Sequence, residues 1–109
     1  MKIKFMATGI APDRYEFDGE KITFDNETFD LSAFEEGDIF QGIEHEMQVI
    51  RAVERIEGEL YITLCQKSPV GHWTGDGIGY IDATEYDPEK SYIRERTPEE
   101  MAEVEQWGR

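Results

Sequence analysis

Residues 47–66 read MQVIRAVERIEGELYITLCQ, and the interpretation of this stretch decides the fold. Its first half is long and rich in β-branched residues, and its second half, from Leu60 to Cys65, has the composition of a strand. Glu57 and Gly58 between them provide a two-residue turn. The stretch therefore predicts an antiparallel hairpin over residues 47–66. Because both faces of the returning half carry apolar side chains, we expect this hairpin to be the most covered pair of the sheet.

A helix over residues 44–56 is the alternative interpretation of the first half. Four apolar residues have the spacing of a helical stripe: Val49, Ala52, Val53 and Ile56. Gly58 and the strand-like segment that follows it favour the hairpin, because a helix would leave that second strand without its partner.

A second hairpin is predicted over residues 14–25, which read RYEFDGEKITFD. Polar and apolar residues alternate on both sides of Asp18-Gly19, a dipeptide that suits the positive φ values of a tight turn. The alternation places four apolar side chains on one face: Tyr15, Phe17, Ile22 and Phe24. One buried and one solvated face is typical of an antiparallel sheet.

The last segment has the start signals of a helix over residues 98–107. Thr97 is a suitable N-cap, Pro98 suits the first helical position, and Glu100 follows the cap by three residues. Together these patterns predict an α+β fold in a single domain over residues 1–109. We expect mostly antiparallel β structure, with about five to seven strands, and one short C-terminal helix.

The charge restricts the partners that the chain can bind. It has 25 acidic and 11 basic residues, for a formal net charge of −14. Such a balance argues against direct nucleic-acid binding, which needs cations to neutralise phosphates, and against binding to anionic membranes. It favours a basic partner or a surface that imitates a polyanion. The single cysteine, Cys65, excludes an internal disulfide and predicts a cytoplasmic location.

No motif predicts catalysis, a metal site or a cofactor. Cys65 and His72 lie seven residues apart, but nothing near them suggests an oxyanion hole or a third orienting group. His45 has no second histidine or cysteine nearby in the sequence, which predicts a solvated polar turn rather than a ligand. The glycine-rich residues 75–79 lack the lysine and the following helix of a phosphate-binding loop.

The most informative pattern is a gap in the acidic residues. From Leu60 to Gly75 there is no carboxylate, although the chain has 25 acidic residues among its 109. This neutral stretch predicts a protein contact surface with four candidate binding residues: Lys67, Val70, His72 and Trp73. Tryptophan is enriched where interfaces concentrate their binding energy. The alternative is that Trp73 folds back and covers the core.

Several runs resemble a group of small, uncharacterised phage and prophage proteins. The runs are 7–9 (ATG), 12–20 (PDRYEFDGE), 29–37 (FDLSAFEEG), 64–66 (LCQ), 71–73 (GHW) and 92–95 (YIRE). The resemblance implies a phage-derived protein in the cytoplasm of a bacterial host, or one associated with the virion. It implies no activity and no catalytic residues.

The leading functional hypothesis is a non-enzymatic protein that acts through protein contact, as a virion accessory or assembly factor. The first alternative is a polyanion mimic that inhibits a host nucleic-acid-binding protein. A mimic needs carboxylates aligned at the spacing of DNA phosphates, whereas a contact protein needs an apolar or aromatic surface patch. The second alternative is an enzyme that uses Cys65 and His72. The partner's identity and the oligomeric state stay open.

Overall fold

A parallel pair of strands forms the centre of the molecule. β1 (Lys2–Thr8) lies beside β6 (Glu59–Lys67), with Lys2 opposite Tyr61 and Thr8 opposite Lys67. The computed structural model describes residues 1–67 and 73–107, and only the backbone at 73–77, 95, 104, 105 and 107. Residues 3, 5 and 7 of β1 are buried while the alternate ones are half-buried, so one face of this pair lies on the core.

Two antiparallel strands complete this sheet, in the order β5-β6-β1-β8. β5 (Ala52–Ile56) pairs with β6 across a turn at Glu57 and Gly58, where φ is +50° and +85°. β8 (Ile81–Asp82) pairs with the start of β1. The predicted hairpin is confirmed, but its first strand begins at Ala52 instead of residue 47. The alternative helix over residues 44–56 is wrong, since residues 47–51 have no regular secondary structure.

The second predicted hairpin is also confirmed, and a third strand extends it. β2 (Glu16–Asp18), β3 (Lys21–Phe24) and β4 (Glu27–Asp30) form an antiparallel sheet in chain order. The first turn is at residues 19–20, one residue later than predicted, with φ of +59° at Gly19. The second is at residues 25–26, where both φ angles are positive.

A third, two-stranded antiparallel sheet joins β7 (Trp73–Gly77) to β9 (Ile93–Glu95), and a 3₁₀ turn spans Ala83–Glu85. The described residues thus contain nine strands, more than the five to seven predicted. The difference comes from strands of two or three residues, which are too short to show alternation. The fold class is confirmed as α+β and mainly β, although its central pair is parallel.

The core joins the two larger sheets. One buried cluster contains Phe5 and Leu64 from the first sheet and Ile22 and Phe24 from the second. The centroid of the Phe5 ring lies within 6 Å of three tyrosine ring centroids. The distances are 5.9 Å to Tyr15, 5.7 Å to Tyr86 and 5.3 Å to Tyr92. Aromatic rings at these separations attract each other beyond their buried area.

The predicted helix is present as α1 (Pro98–Trp107). The Thr97 hydroxyl accepts a bond from the Glu100 N–H at 3.2 Å, and the Glu100 carboxylate accepts one from the Thr97 N–H at 3.1 Å. This reciprocal pair is a capping box. The same carboxylate is bound by Arg94 through both of its terminal nitrogens, each at 3.1 Å. Within the described residues, no helix is long and apolar enough to cross a membrane.

Acid should unwind the first turn of α1. The hydrogen bonds from Arg94, and then that from the Thr97 N–H, lower the pKa of Glu100 from 4.5 to about 2. A lowered pKa stabilises the folded state above the unfolded value, and this stabilisation is lost as the pH falls from 4.5 towards 2. Backbone chemical shifts of residues 98–101 should lose helical character over that range.

The Glu100→Gln variant should show less helix at neutral pH and no such titration. Glu99→Gln is the matched control, because it removes a charge from the same turn and leaves the capping box intact. Equal acid titrations of this turn in the wild type and Glu100→Gln would contradict the prediction.

Candidate functional site

The face of the four-stranded sheet that points away from Phe5 and Leu64 carries basic and hydroxyl-bearing side chains near the start of β1, and the fully buried Cys65 beside the half-buried Met6 near its end. The half-buried residues of β1 alternate with the buried ones, and their neighbours in register on β6 share their side of the sheet. We call this the outer face. It carries two basic residues of β1, Lys2 and Lys4, beside two hydroxyl-bearing residues of β6, Tyr61 and Thr63.

An aromatic cluster lies on the outer face. The Tyr80 ring meets the Tyr61 ring edge to face, with centroids 5.1 Å apart and an interplanar angle of 85°. The Lys4 Nζ lies 4.8 Å from the centroid of the Tyr80 ring, which is the geometry of a cation–π contact. Since Tyr80 follows β7 and precedes β8, its ring joins the connecting segment to β1 and β6.

Two exposed isoleucines lie close to this cluster, Ile78 in the chain and Ile56 in the register of the sheet. Ile78, two residues before Tyr80, is 67% exposed, and Tyr80 itself is 44% exposed. Ile56 is 45% exposed and lies two residues beyond Glu54, which pairs with Tyr61, so Ile56 and Tyr61 share the outer face. We call these residues the aromatic patch, which consists of Lys4, Ile56, Tyr61, Ile78 and Tyr80. Apolar and aromatic groups exposed together are characteristic of contact surfaces.

An ion pair fixes the lower end of the outer face, by which we mean the end where β1 begins. The Lys2 Nζ lies 3.3 Å from the Asp82 carboxylate. The pKa of Asp82 is lowered to about 2, first by the Thr84 backbone N–H, then by the Thr84 hydroxyl and by Lys2. Lys2 is therefore already neutralised by a partner within the chain.

The upper end of the outer face, where β1 ends, carries two more cations. Lys67 ends β6 and lies in register with Thr8 of β1. Arg51 lines a surface cleft of about 430 Å³ together with Thr8 and Glu46. The described residues place no carboxylate within 4.0 Å of either Arg51 or Lys67.

Arg51 is held in place by the buried cysteine. Its Nε–H donates to the Cys65 Sγ at 3.3 Å, and its backbone N–H donates to the Thr63 carbonyl at 2.8 Å. Cys65 has no exposed surface, and its carbonyl accepts a bond from the Tyr15 hydroxyl. A thiol closed off from solvent in this way is placed to pack and not to attack a substrate.

His45 is a structural residue and not the solvated polar turn that we predicted. Its side chain is only 8% exposed and packs against the Phe24 ring at 5.0 Å. Its Nδ1 accepts a bond from the Met47 N–H at 2.9 Å, and its Nε2 lies 3.2 Å from the Asp25 carboxylate. Nδ1 thus fixes the local backbone at Met47, while Nε2 attaches the segment before β5 to the β3–β4 turn. The described residues contain no group of three or more histidine, cysteine or acidic side chains that could hold a metal.

The structure describes the four predicted binding residues to different extents. Lys67 is exposed at the end of β6, beside the cleft. Trp73 begins β7, where only the backbone is described. Val70 and His72 lie outside the described residues. The contact role of all four stays a prediction.

The sequence analysis missed the residues that build the aromatic patch and the cleft. Lys2-Ile3-Lys4 alternates, so it already indicated that two cations share one face of a strand. Nothing in the sequence placed that strand beside Tyr61, because their pairing joins segments almost sixty residues apart. Comparison with protein-family models, curated proteins and solved structures finds no match for this chain.

Proposed function

We propose that this chain is a non-enzymatic protein that binds a protein partner through the aromatic patch. The observation that carries the proposal is the exposed Tyr80, packed edge to face on Tyr61 and two residues along the chain from the 67%-exposed Ile78. Tyrosine is a frequent hot-spot residue, because its ring supplies a large apolar area and its hydroxyl a hydrogen bond. The resemblance to prophage proteins gives the context: a virion accessory or assembly factor in a bacterial host.

The enclosure of Cys65 supports the non-enzymatic part of the proposal. A nucleophile needs access to its substrate and a base within hydrogen-bond reach. Cys65 has no exposed surface, and among the described residues its sulfur accepts a hydrogen bond from the Arg51 guanidinium, which cannot accept a proton.

A polyanion mimic is the second candidate. The three-stranded sheet exposes carboxylates on neighbouring strands, among them Asp18 and Asp30. Lys21 stands between these two in the register, so a cation interrupts the row. A row of phosphates has no such interruption, and the aromatic patch has no role in a mimic. Both points favour the contact protein.

Substitution of Tyr80 by alanine should weaken the partner complex by at least tenfold. The expectation follows from the roughly 2 kcal/mol or more that a hot-spot side chain contributes. The tagged chain first captures the partner from a bacterial lysate, and the purified partner is then titrated by calorimetry. Tyr80 is 44% exposed, so the fold should tolerate the change.

Ile39→Ala is the matched control, because Ile39 is 83% exposed and lies outside the patch. It should bind the partner as the wild type does. Unchanged affinity in Tyr80→Ala would remove the patch from the interface. Competition by duplex DNA for the captured partner, independent of Tyr80, would favour the mimic instead.

A further inference from the structure

Arg51 and Lys67 are two cations at one end of the outer face, in a chain that has 25 acidic and 11 basic residues. Among the described residues, Lys2, Arg55 and Arg94 each lie within 4.0 Å of a carboxylate, whereas cations elsewhere, such as Arg14 and Lys21, do not. Within the described part of the chain, Arg51 and Lys67 have no carboxylate within 4.0 Å, and the two flank the same end of the outer face.

The Arg51 guanidinium is also positioned in advance. Its Nε is bound to the buried Cys65 sulfur, which restricts the side chain, and in the described part of the chain no acceptor binds the two terminal nitrogens. A planar guanidinium can bind a carboxylate through two parallel hydrogen bonds. Less conformational entropy is lost on binding when the side chain is already held.

We propose that the partner presents an extended acidic segment, whose carboxylates bind Arg51 and Lys67 while an apolar side chain of the same segment packs on the aromatic patch. This inference rests on the proposed function and specifies the chemistry of the partner. Lys4 and Thr8 are four residues apart on β1, a span of roughly 13 Å at about 3.3 Å per residue. The partner's apolar residue and its carboxylates are therefore separated by about four residues of extended chain.

The net charge of −14 repels an acidic partner, but this repulsion acts over longer distances than the hydrogen-bonded contacts in the cleft. Charges separated by more than about 8 Å are largely screened at physiological salt, whereas contacts at hydrogen-bond distance are not. One acidic residue, Glu46, lines the cleft beside Arg51 and repels a carboxylate locally. This arrangement predicts opposite effects for two substitutions in one cleft.

The test uses two labelled synthetic peptides of about eight residues, a length that covers the span. The first carries a leucine and, four residues later, two glutamates, and the second has glutamines in place of the glutamates. Fluorescence anisotropy at about 0.15 M salt measures their binding to the full chain. The glutamate peptide should bind about tenfold more tightly than the glutamine peptide, a preference that added salt reduces.

Substitutions test whether Arg51 and Lys67 cause the preference for the glutamate peptide. Arg51→Gln and Lys67→Gln should each weaken the glutamate peptide about fivefold and leave the glutamine peptide unchanged. Glu46→Gln should strengthen the glutamate peptide. Lys21→Gln, which removes a cation from the other sheet, should change neither. Tyr80→Ala should weaken both peptides, which tests the patch separately.

Three results would overturn the inference. These are equal affinity for the two peptides, no binding of either up to about 1 mM, and Arg51-dependent binding of an oligothymidylate in place of the acidic peptide. In each case a loss of the captured partner in Tyr80→Ala would still support the contact function. No effect of Tyr80→Ala on the peptides or on the partner would instead contradict the proposed function itself.

Discussion

Replacing Phe5 by alanine should lower the free energy of unfolding by about 3–5 kcal/mol, the usual cost of deleting a buried aromatic ring. Phe5 is 2% exposed, and three tyrosine rings lie with their centroids within 6 Å of its own. These rings come from three separate segments, the one before β2 and the two on either side of residues 87–91. The cavity would therefore remove the ring that all three of these tyrosines contact. Urea denaturation followed by tyrosine and tryptophan fluorescence measures the loss.

Ile39→Ala is the control for this experiment too, since a side chain that is 83% exposed contributes little burial. It should change the unfolding free energy by less than about 0.5 kcal/mol. If Phe5→Ala lowers the free energy of unfolding by less than about 1 kcal/mol, neighbouring side chains must fill the space that the ring leaves. The ring cluster would then not be the contact that joins the sheets.

The local elements were predictable because their signals lie within a few residues. Glu57-Gly58 and the alternation on both sides of Gly19 determine two hairpins, and Thr97, Pro98 and Glu100 determine where α1 begins. At the start of α1 the groups that satisfy the backbone come from the same short segment, as the capping box at Thr97 shows.

The central sheet could not be predicted in the same way. Alternation in β1 shows which residues share a face but not which strand lies beside it, and a parallel partner requires a long connection. Here that connection contains the entire second sheet. Residues 47–51 were predicted as strand because Val49 and Ile50 are β-branched and apolar. Val49 and Ile50 are adjacent and both buried, which an irregular backbone allows and a half-covered strand does not.

The candidate site was only partly visible for the same reason. The gap in the acidic residues singled out Lys67, and that gap turns out to contain most of β6, the inner strand of the first sheet. Lys4, Tyr61 and Tyr80 come from three segments and meet only through the sheet. Arg51 gave no signal, because its role depends on the distant Cys65 sulfur and on the absence of a nearby carboxylate among the described residues.

Tyr15→Phe should lower the free energy of unfolding by about 1–3 kcal/mol at neutral pH, the cost of leaving a buried polar group without its hydrogen bond. The Tyr15 hydroxyl donates to the Cys65 carbonyl, and both residues are buried. The ring itself stays, with its contacts to Phe5 and Phe24. The effect therefore reports the hydrogen bond that ties the segment before β2 to β6, and urea denaturation measures it.

The same variant should alter how stability depends on alkaline pH. Burial raises the pKa of Tyr15 above its usual value of 10.0, and the nearby Cys65 and Tyr86 add to the shift. Above pH 10 the unfolded chain loses the Tyr15 proton while the folded chain keeps it, so stability falls by up to about 1.4 kcal/mol per pH unit. Tyr15→Phe lacks this titration, although Tyr86, whose pKa burial also raises, still contributes in both proteins. The difference in unfolding free energy between wild type and variant should therefore shrink from pH 10 upwards. A constant difference across that range would mean that Tyr15 ionises as readily in the folded chain as in the unfolded one, and that its hydroxyl is not buried in solution.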